Sequence, residues 1–179
     1  KGAAEAYREA LKLKPNDPSM HYNLSLALAK LGDTAGERRE LEKAIELGPN
    51  VAEAHNQLGI LYMADGKVAD AEKEFKAAIA ISPAYAEAKN NLGTLYGRVG
   101  NHSAAVELFR QAIEINPQYA QAHLNLGLTL ALQGRYADAQ QQLRKALELE
   151  PDNRTAQLVL QMLESQTPQQ PNPGQQTNR

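Results

Sequence analysis

Three histidines stand at matching places in the chain, because 34 residues or twice that interval separate them. They are His21, His55 and His123, and Lys89 fills the remaining place in the series. Imidazole is a frequent zinc ligand, so such a series first suggests a metal site. If each residue belongs to a separate helix pair, however, neighbours lie on the order of 10 Å apart, too far to share an ion with bonds of ~2 Å. We therefore expect a structural role and no metal site.

Catalytic chemistry has no visible basis in the sequence. No nucleophile, base and orienting residue occur at related positions, and no glycine-rich phosphate loop follows a strand-like segment. The chain has no cysteine, which excludes a thiol nucleophile and thiolate metal ligands. Neighbouring carboxylates such as Glu40 and Glu42 are expected on solvated helix faces. We therefore interpret the protein as non-enzymatic and expect no cofactor.

Composition narrows the choice of partner. The formal net charge of the 179 residues is −2, and Lys and Arg are interspersed with Asp and Glu, so no basic stripe could follow a nucleic acid backbone. No apolar segment approaches the roughly 18 residues that a membrane-spanning helix needs. We therefore expect binding to protein, with no nucleic acid and no membrane insertion. The sequence does not indicate a cellular location.

A 34-residue period defines the elements that carry these side chains. Its clearest marker is a series of prolines, namely Pro15, Pro49, Pro83, Pro117 and Pro151. Each full period also contains small and large residues at fixed places, which in the second are Leu58-Gly59, Tyr62, Gly66, Ala71, Phe75 and Ala78. Small residues let two helices approach closely, large ones fill the gap between pairs, glycine frees the turn, and proline ends the second helix.

This pattern resembles the tetratricopeptide repeat from residue 1 to about residue 165. The resemblance implies an all-α fold, a right-handed superhelical solenoid of antiparallel helix pairs whose first helices line a concave groove. It also implies binding of peptides or proteins. Two residues of the first full unit depart from the pattern, since Ser25 replaces the glycine and Glu37 the alanine. We expect slightly looser packing there.

The period also divides the chain. The predicted segments are an N-terminal half repeat with only a second helix, four full repeats, a first-helix half repeat or capping helix, and a Pro/Gln-rich tail. Their bounds are 1–17, then 18–51, 52–85, 86–119 and 120–153 for repeats 1 to 4, then 154–165 and 166–179.

Every first helix carries an amide side chain at its sixth position. The series is Asn23, Gln57, Asn91 and Asn125. Such a ladder of donors and acceptors can hold an extended peptide by its main chain, whatever its sequence, and it resembles the asparagine ladder of some members of the family. Asn56 and Asn90, one position earlier, are predicted to extend the polar wall. The alternative is that these amides are only solvated.

The charges at the second helical position bear on the ligand. Some members of the family grip a terminal carboxylate with Lys or Arg, whereas this chain has Glu53 and Glu87 there in repeats 2 and 3. The cationic clamp is missing, and a neutral or basic ligand is favoured. The leading interpretation is a non-enzymatic interaction scaffold that binds an extended peptide or protein segment in its groove.

The two half repeats are complementary, which raises a second hypothesis of head-to-tail assembly into a fibre. The C-terminal helix of one subunit would pair with the N-terminal helix of the next, and such a heterologous contact propagates if it does not close a ring. The predicted interface is Ala3, Tyr7, Ala10 and Leu11 against Val159, Leu160, Met162 and Leu163. Trimming of a longer protein would leave the same half repeats. The tail could also lie in a neighbour's groove.

Candidate glycosylation sites occur at Asn101 and Asn153, where Asn-x-Ser/Thr sequons fall in predicted turns. A third sequon, at Asn23, would lie inside the groove. The pattern is short and common, so chance explains most occurrences.

Overall fold

The computed structural model describes residues 2–166, in which the chain forms ten α-helices and no strand. The tail from residue 167 onwards, with its predicted contact to a neighbour's groove, lies outside the described residues. No helix in the described part has the length and the apolar character that crossing a membrane requires.

The helix bounds recur every 34 residues. The first helices of the four repeats are α2 (Pro18–Ala29), α4 (Ala52–Ala64), α6 (Ala86–Arg98) and α8 (Ala120–Leu132). Their second helices are α3 (Thr34–Leu47), α5 (Val68–Ile81), α7 (His102–Ile115) and α9 (Tyr136–Leu149). The half repeats are α1 (Gly2–Leu13) and α10 (Arg154–Gln166).

The helices belong to two compact units, the first ending at Pro117 and the second beginning at Gln118. In unit 1, each first helix packs mainly on its own second helix, α3 and α5 also contact the following first helix, and α1 packs on α2. In unit 2, α9 packs on both α8 and α10.

A glycine turn joins the two helices of each repeat. Gly32, Gly66, Gly100 and Gly134 all have a positive φ of 73–83°, a conformation that glycine adopts without a steric penalty. In repeat 2, Lys67 is the residue after Gly66, and its N–H donates to the carbonyl of Tyr62 over 2.9 Å. This bond from the third residue past the helix back into its last turn belongs to the Schellman motif, and it satisfies a carbonyl at the helix end.

The glycine of the Leu-Gly pair allows a close approach between the two helices of a repeat. A Cβ atom built on Gly59 would lie 2.7 Å from Cε1 of Phe75, and one on Gly93 would lie 2.7 Å from Cε1 of Phe109. Both phenyl rings are buried. The glycine of one helix and the ring of its partner therefore fit only as a pair.

Repeat 1 forms the contact between the glycine position and the facing residue with different side chains. Ser25 takes the glycine position, its hydroxyl donates to the carbonyl of Tyr22 over 2.6 Å, and the facing position holds the smaller Leu41. Glu37 lies buried where the other repeats have alanine, and burial raises the pKa of its carboxyl. Since Leu28 and Leu41 are fully buried, burial gives no sign of the looser packing expected here.

Candidate functional site: the first-helix face

The histidine series joins helices within a repeat. His55 is buried between two acceptors, with Nδ1 2.6 Å from Oε2 of Glu74 on α5 and Nε2 3.1 Å from the carbonyl oxygen of Pro49. His21 is placed in the same way, with Nδ1 2.7 Å from Oε2 of Glu40 and Nε2 2.9 Å from the carbonyl oxygen of Pro15. Both contacts of a ring are hydrogen bonds when both its nitrogens carry a proton. The imidazole thus ties its first helix to the second helix and to the turn that precedes the repeat.

Two repeats vary this arrangement. In repeat 3, Nζ of Lys89 donates to Oε1 of Gln111 over 2.8 Å, and in repeat 4, Nδ1 of His123 lies 2.8 Å from Oε1 of Gln142. Within residues 2–166, no group of three or more His, Asp or Glu side chains is placed to hold a metal ion. The residue at the fourth position of each first helix, histidine or lysine, therefore links that helix to the second helix of its repeat.

Three residues of the amide ladder belong to unit 1, at the sixth position of α2, α4 and α6, and we call the exposed side of these three helices that carries the sixth position the first-helix face. They are Asn23, Gln57 and Asn91, and all are partly exposed. In the part of the chain that the structure describes, the side chains of Asn23 and Gln57 make no hydrogen bond. Their donors and acceptors are therefore available to a ligand.

Asn56 and Asn90 differ from the ladder residues because both are buried. Nδ2 of Asn91 donates to Oδ1 of Asn56 over 3.0 Å, and Nδ2 of Asn56 donates to the hydroxyl of Tyr85 over 3.4 Å. The buried Asn56 therefore orients the side chain of Asn91 and exposes little of its own side chain to a ligand.

The fourth ladder residue, Asn125, belongs to unit 2. It is partly exposed on α8, and its Oδ1 accepts a hydrogen bond of 2.9 Å from Nε2 of Gln121 one turn earlier.

Two tyrosines and two carboxylates complete the first-helix face. Burial, with Glu87, Tyr22 and Glu53 nearby, raises the pKa of Tyr85 to about 12, although the hydrogen bond from Asn56 lowers it. The pKa of Tyr22 is also raised, mainly by burial and to a smaller extent by the negative charges of Glu53 and Glu87. Both carboxylates thus act on both phenol groups. The sequence reasoning missed Tyr85, although its recurrence as Tyr119, two residues after a period proline, was a usable signal.

The predicted N-terminal interface residues are unequally placed on α1. Ala3 is exposed, whereas Tyr7 and Leu11 pack against the buried cluster of Ala4, Leu24 and Leu28. Ala10 is half-buried. This helix also carries Leu13 with 86% of its surface exposed.

The predicted C-terminal interface residues lie on α10. Val159 and Leu160 are half-buried, Met162 is 49% exposed, and Leu163 is only 2% exposed, so it offers no surface to a second molecule. Leu158, 65% exposed, lies one turn before Met162. Unit 2 also has an apolar cavity of about 520 Å³, lined by Leu128, Ala131, Leu132, Tyr136, Val159, Met162 and Leu163.

The glycine position of α10 is occupied by Gln161, which corresponds to Gly127 one period earlier. Even at Gly127 a Cβ atom would lie 2.9 Å from Cγ of Leu143. The corresponding large residue of α1 is Tyr7. Any contact between α10 and a second α1 must therefore differ from the spacing inside a repeat.

Both candidate glycosylation residues begin helices. Oδ1 of Asn101 accepts from the N–H of Ala104 at the start of α7, and Oδ1 of Asn153 accepts from the N–H of Ala156 at the start of α10. Asn101 is exposed and Asn153 is half-buried. Glycosylation of either stays a prediction.

The recurring helices and the face they present define an all-α helical-repeat protein. Models described as "Tetratricopeptide repeat" match residues 18–51, 50–118, 90–154 and 133–160, and one described as "TPR repeat" matches residues 1–32. The chain belongs to the tetratricopeptide-repeat family, which confirms the predicted resemblance and fold class. No match was found among curated protein sequences.

Solved structures of the same fold include two structures of the protein MamA. The crystal structure of MamA is 30% identical over 84% of this chain and 88% of that chain, with a TM-score of 0.74. A MamA fragment from Desulfovibrio magneticus is 25% identical over 84% and 85%, with a TM-score of 0.72. The first TPR of Spaghetti (RPAP3), solved with an HSP90 peptide, shares the fold at 22% identity over 64% and 90%, with a TM-score of 0.62.

Proposed function

We propose that the protein is a non-enzymatic scaffold that binds an extended peptide or protein segment along its first-helix face. The observation that carries this proposal is the set of amides on neighbouring helices, of which Asn23 and Gln57 have no hydrogen-bond partner within the described residues. Membership of a repeat family that presents such surfaces supports it.

The chemistry of the amide explains how a segment would be held. Each side chain offers an oxygen acceptor and two N–H donors, which match the carbonyl and N–H groups of an extended main chain. Asn91 is already oriented by its bond to Asn56, so less conformational freedom is lost on binding. Contacts of this kind hold a backbone and depend little on the side chains of the ligand.

Removing three amides should weaken binding of every extended peptide to a similar degree. We expect the combined substitution Asn23→Ala, Gln57→Ala and Asn91→Ala to lower affinity for a pool of capped nonapeptides with degenerate neutral side chains by at least roughly tenfold, at ~0.5–1.5 kcal/mol for one hydrogen bond from each amide. Retention of the pool on immobilised protein, at equal loading, measures the effect.

The matched control replaces three exposed amides elsewhere, through Asn16→Ala, Asn50→Ala and Gln141→Ala. It should retain the pool as the parent chain does. Equal retention by all three proteins, or no retention by the parent chain, would refute binding through the ladder.

A second copy of the chain is the second candidate partner, and the exposed apolar residues of α1 and α10 favour it. Leu13 on one helix and Leu158 and Met162 on the other are exposed, the last two lie one turn apart, and Met162 also lines the apolar cavity. Burying such side chains is worth about 1.5–3 kcal/mol each. Because Gln161 prevents repeat-like spacing, the proposed contact uses the strip of Leu158 and Met162.

Sedimentation velocity at rising protein concentration tests self-association. We expect Leu158→Asp with Met162→Asp to weaken association at least about tenfold, since charges would then enter an apolar contact. Val99→Asp, at an exposed turn residue of unit 1, should leave it unchanged. A parent chain that stays monomeric at every concentration would remove the candidate.

A further inference from the structure

We propose that the first-helix face selects a segment carrying an arginine or lysine side chain, which it holds between Glu53 and Glu87 and against the rings of Tyr22 and Tyr85. This inference rests on the proposed function and adds the chemistry of the ligand. The sequence suggests only a neutral or basic ligand, and the structure narrows it to a cationic side chain at one place.

The four residues come together because of where they lie in successive repeats. Glu53 and Glu87 occupy the second position of the neighbouring helices α4 and α6. Tyr22 reaches them from α2 and packs on the core cluster that includes Ala54 and Leu58. Tyr85 directly precedes α6, and its hydroxyl accepts from Asn56 beneath the ladder.

The two carboxylates lack compensating charge. Both side chains are exposed, and within residues 2–166 neither forms an ion pair, although many other Asp and Glu residues do. Their influence reaches both half-buried phenol groups, whose pKa values are raised chiefly by burial and then by these charges. Two uncompensated negative charges beside partly desolvated rings form a surface of negative potential.

A cationic side chain complements this surface in two ways. Its charge is attracted by both carboxylates, and aromatic rings favour a cation over their faces. Arginine fits better than lysine, because its planar group stacks on rings and donates to two carboxylates from a fixed fork. The main chain of the same segment would lie along the ladder amides Gln57 and Asn91.

Three defined peptide pools test the inference. All are capped nonapeptides with degenerate neutral residues, and they differ only at the central position, which is arginine, lysine or norleucine. We expect immobilised parent protein to retain the arginine pool about fivefold better than the norleucine pool, with the lysine pool between them. The combined substitution Glu53→Gln and Glu87→Gln should abolish this preference and leave the norleucine pool retained as before.

The matched control is Glu5→Gln with Glu114→Gln, which changes net charge equally at exposed residues of the second helices α1 and α7. It should keep the preference for arginine. Loss of preference in this control would show a general charge effect and overturn the inference. So would equal retention of all pools by the parent chain, or a preference that survives Glu53→Gln and Glu87→Gln.

The outcomes also separate this inference from the proposed function. If the norleucine pool binds and the arginine pool binds no better, the cation site is wrong and the ladder remains. If no pool binds, both proposals fail together.

Discussion

Replacing Glu74 with alanine is expected to lower the free energy of unfolding by about 3 kcal/mol. The carboxylate lies 2.6 Å from Nδ1 of His55, and both side chains are about nine-tenths buried. Removing the carboxylate leaves Nδ1 of His55 without a partner in a place that water barely reaches, although Nε2 keeps its contact with the carbonyl of Pro49. Urea unfolding measures the loss, and amide hydrogen exchange in α4 and α5 should show that it begins in repeat 2.

The fourth repeat supplies the control for this experiment. Its equivalent contact joins His123 to the neutral Gln142 over 2.8 Å. Glu74→Gln should therefore keep a hydrogen bond to His55 and cost only about 1 kcal/mol. Equal losses for the alanine and glutamine variants would mean that the negative charge of Glu74, and not a neutral hydrogen bond to His55, stabilises this contact.

Replacing Gly59 with alanine is expected to lower the free energy of unfolding by about 2 kcal/mol, because the new methyl group would overlap the buried ring of Phe75. The sign is informative, since alanine in a helix interior is ordinarily favoured over glycine by about 1 kcal/mol. Gly97→Ala is the matched control. The nearest atom to its Cβ would be 4.0 Å away, so this change should be neutral or stabilising in the same urea titration.

Repeat 1 indicates how the Gly59→Ala defect can be relieved. There the glycine position holds Ser25 and the facing residue is Leu41 in place of phenylalanine. Adding Phe75→Leu to Gly59→Ala should therefore cost less than the sum of the two single changes. Additive losses would show that the two residues do not compete for the same space.

Much of the fold was predictable because it depends on residue size at fixed spacing. The prolines, turn glycines and Leu-Gly pairs require only that each repeat place the same atoms in the same contacts, so their period, through the resemblance to the repeat family, predicted helix pairs with a half repeat at each end. The glycine turns at Gly66 and its equivalents followed directly, since a positive φ excludes most other residues.

The candidate face was less predictable, because it depends on contacts between repeats. Asn56 and Asn91 are both asparagines on first helices, yet one is buried and orients the other. A difference of one helical position rotates a side chain by about 100°, and only the packing of α6 against α4 shows which one remains exposed. Tyr85 was missed for the same reason, because it lies just before α6 and only the folded chain brings its hydroxyl to Asn56 of the preceding repeat.

The matched contacts of Gly59 with Phe75 and of Ser25 with Leu41 have a consequence for recombining such proteins. Joining α2 to α5 would force the Cβ of Ser25 against a phenyl ring, whereas joining α4 to α3 would pair glycine with leucine, as Gly127 and Leu143 are paired in repeat 4. A helix pair that is transferred whole keeps both residues of this contact. Duplication or engineered shuffling of this array can therefore proceed in steps of two helices, with crossovers at the proline turns, and is penalised when a cut at a glycine turn joins α2 to a second helix that carries phenylalanine at the facing position.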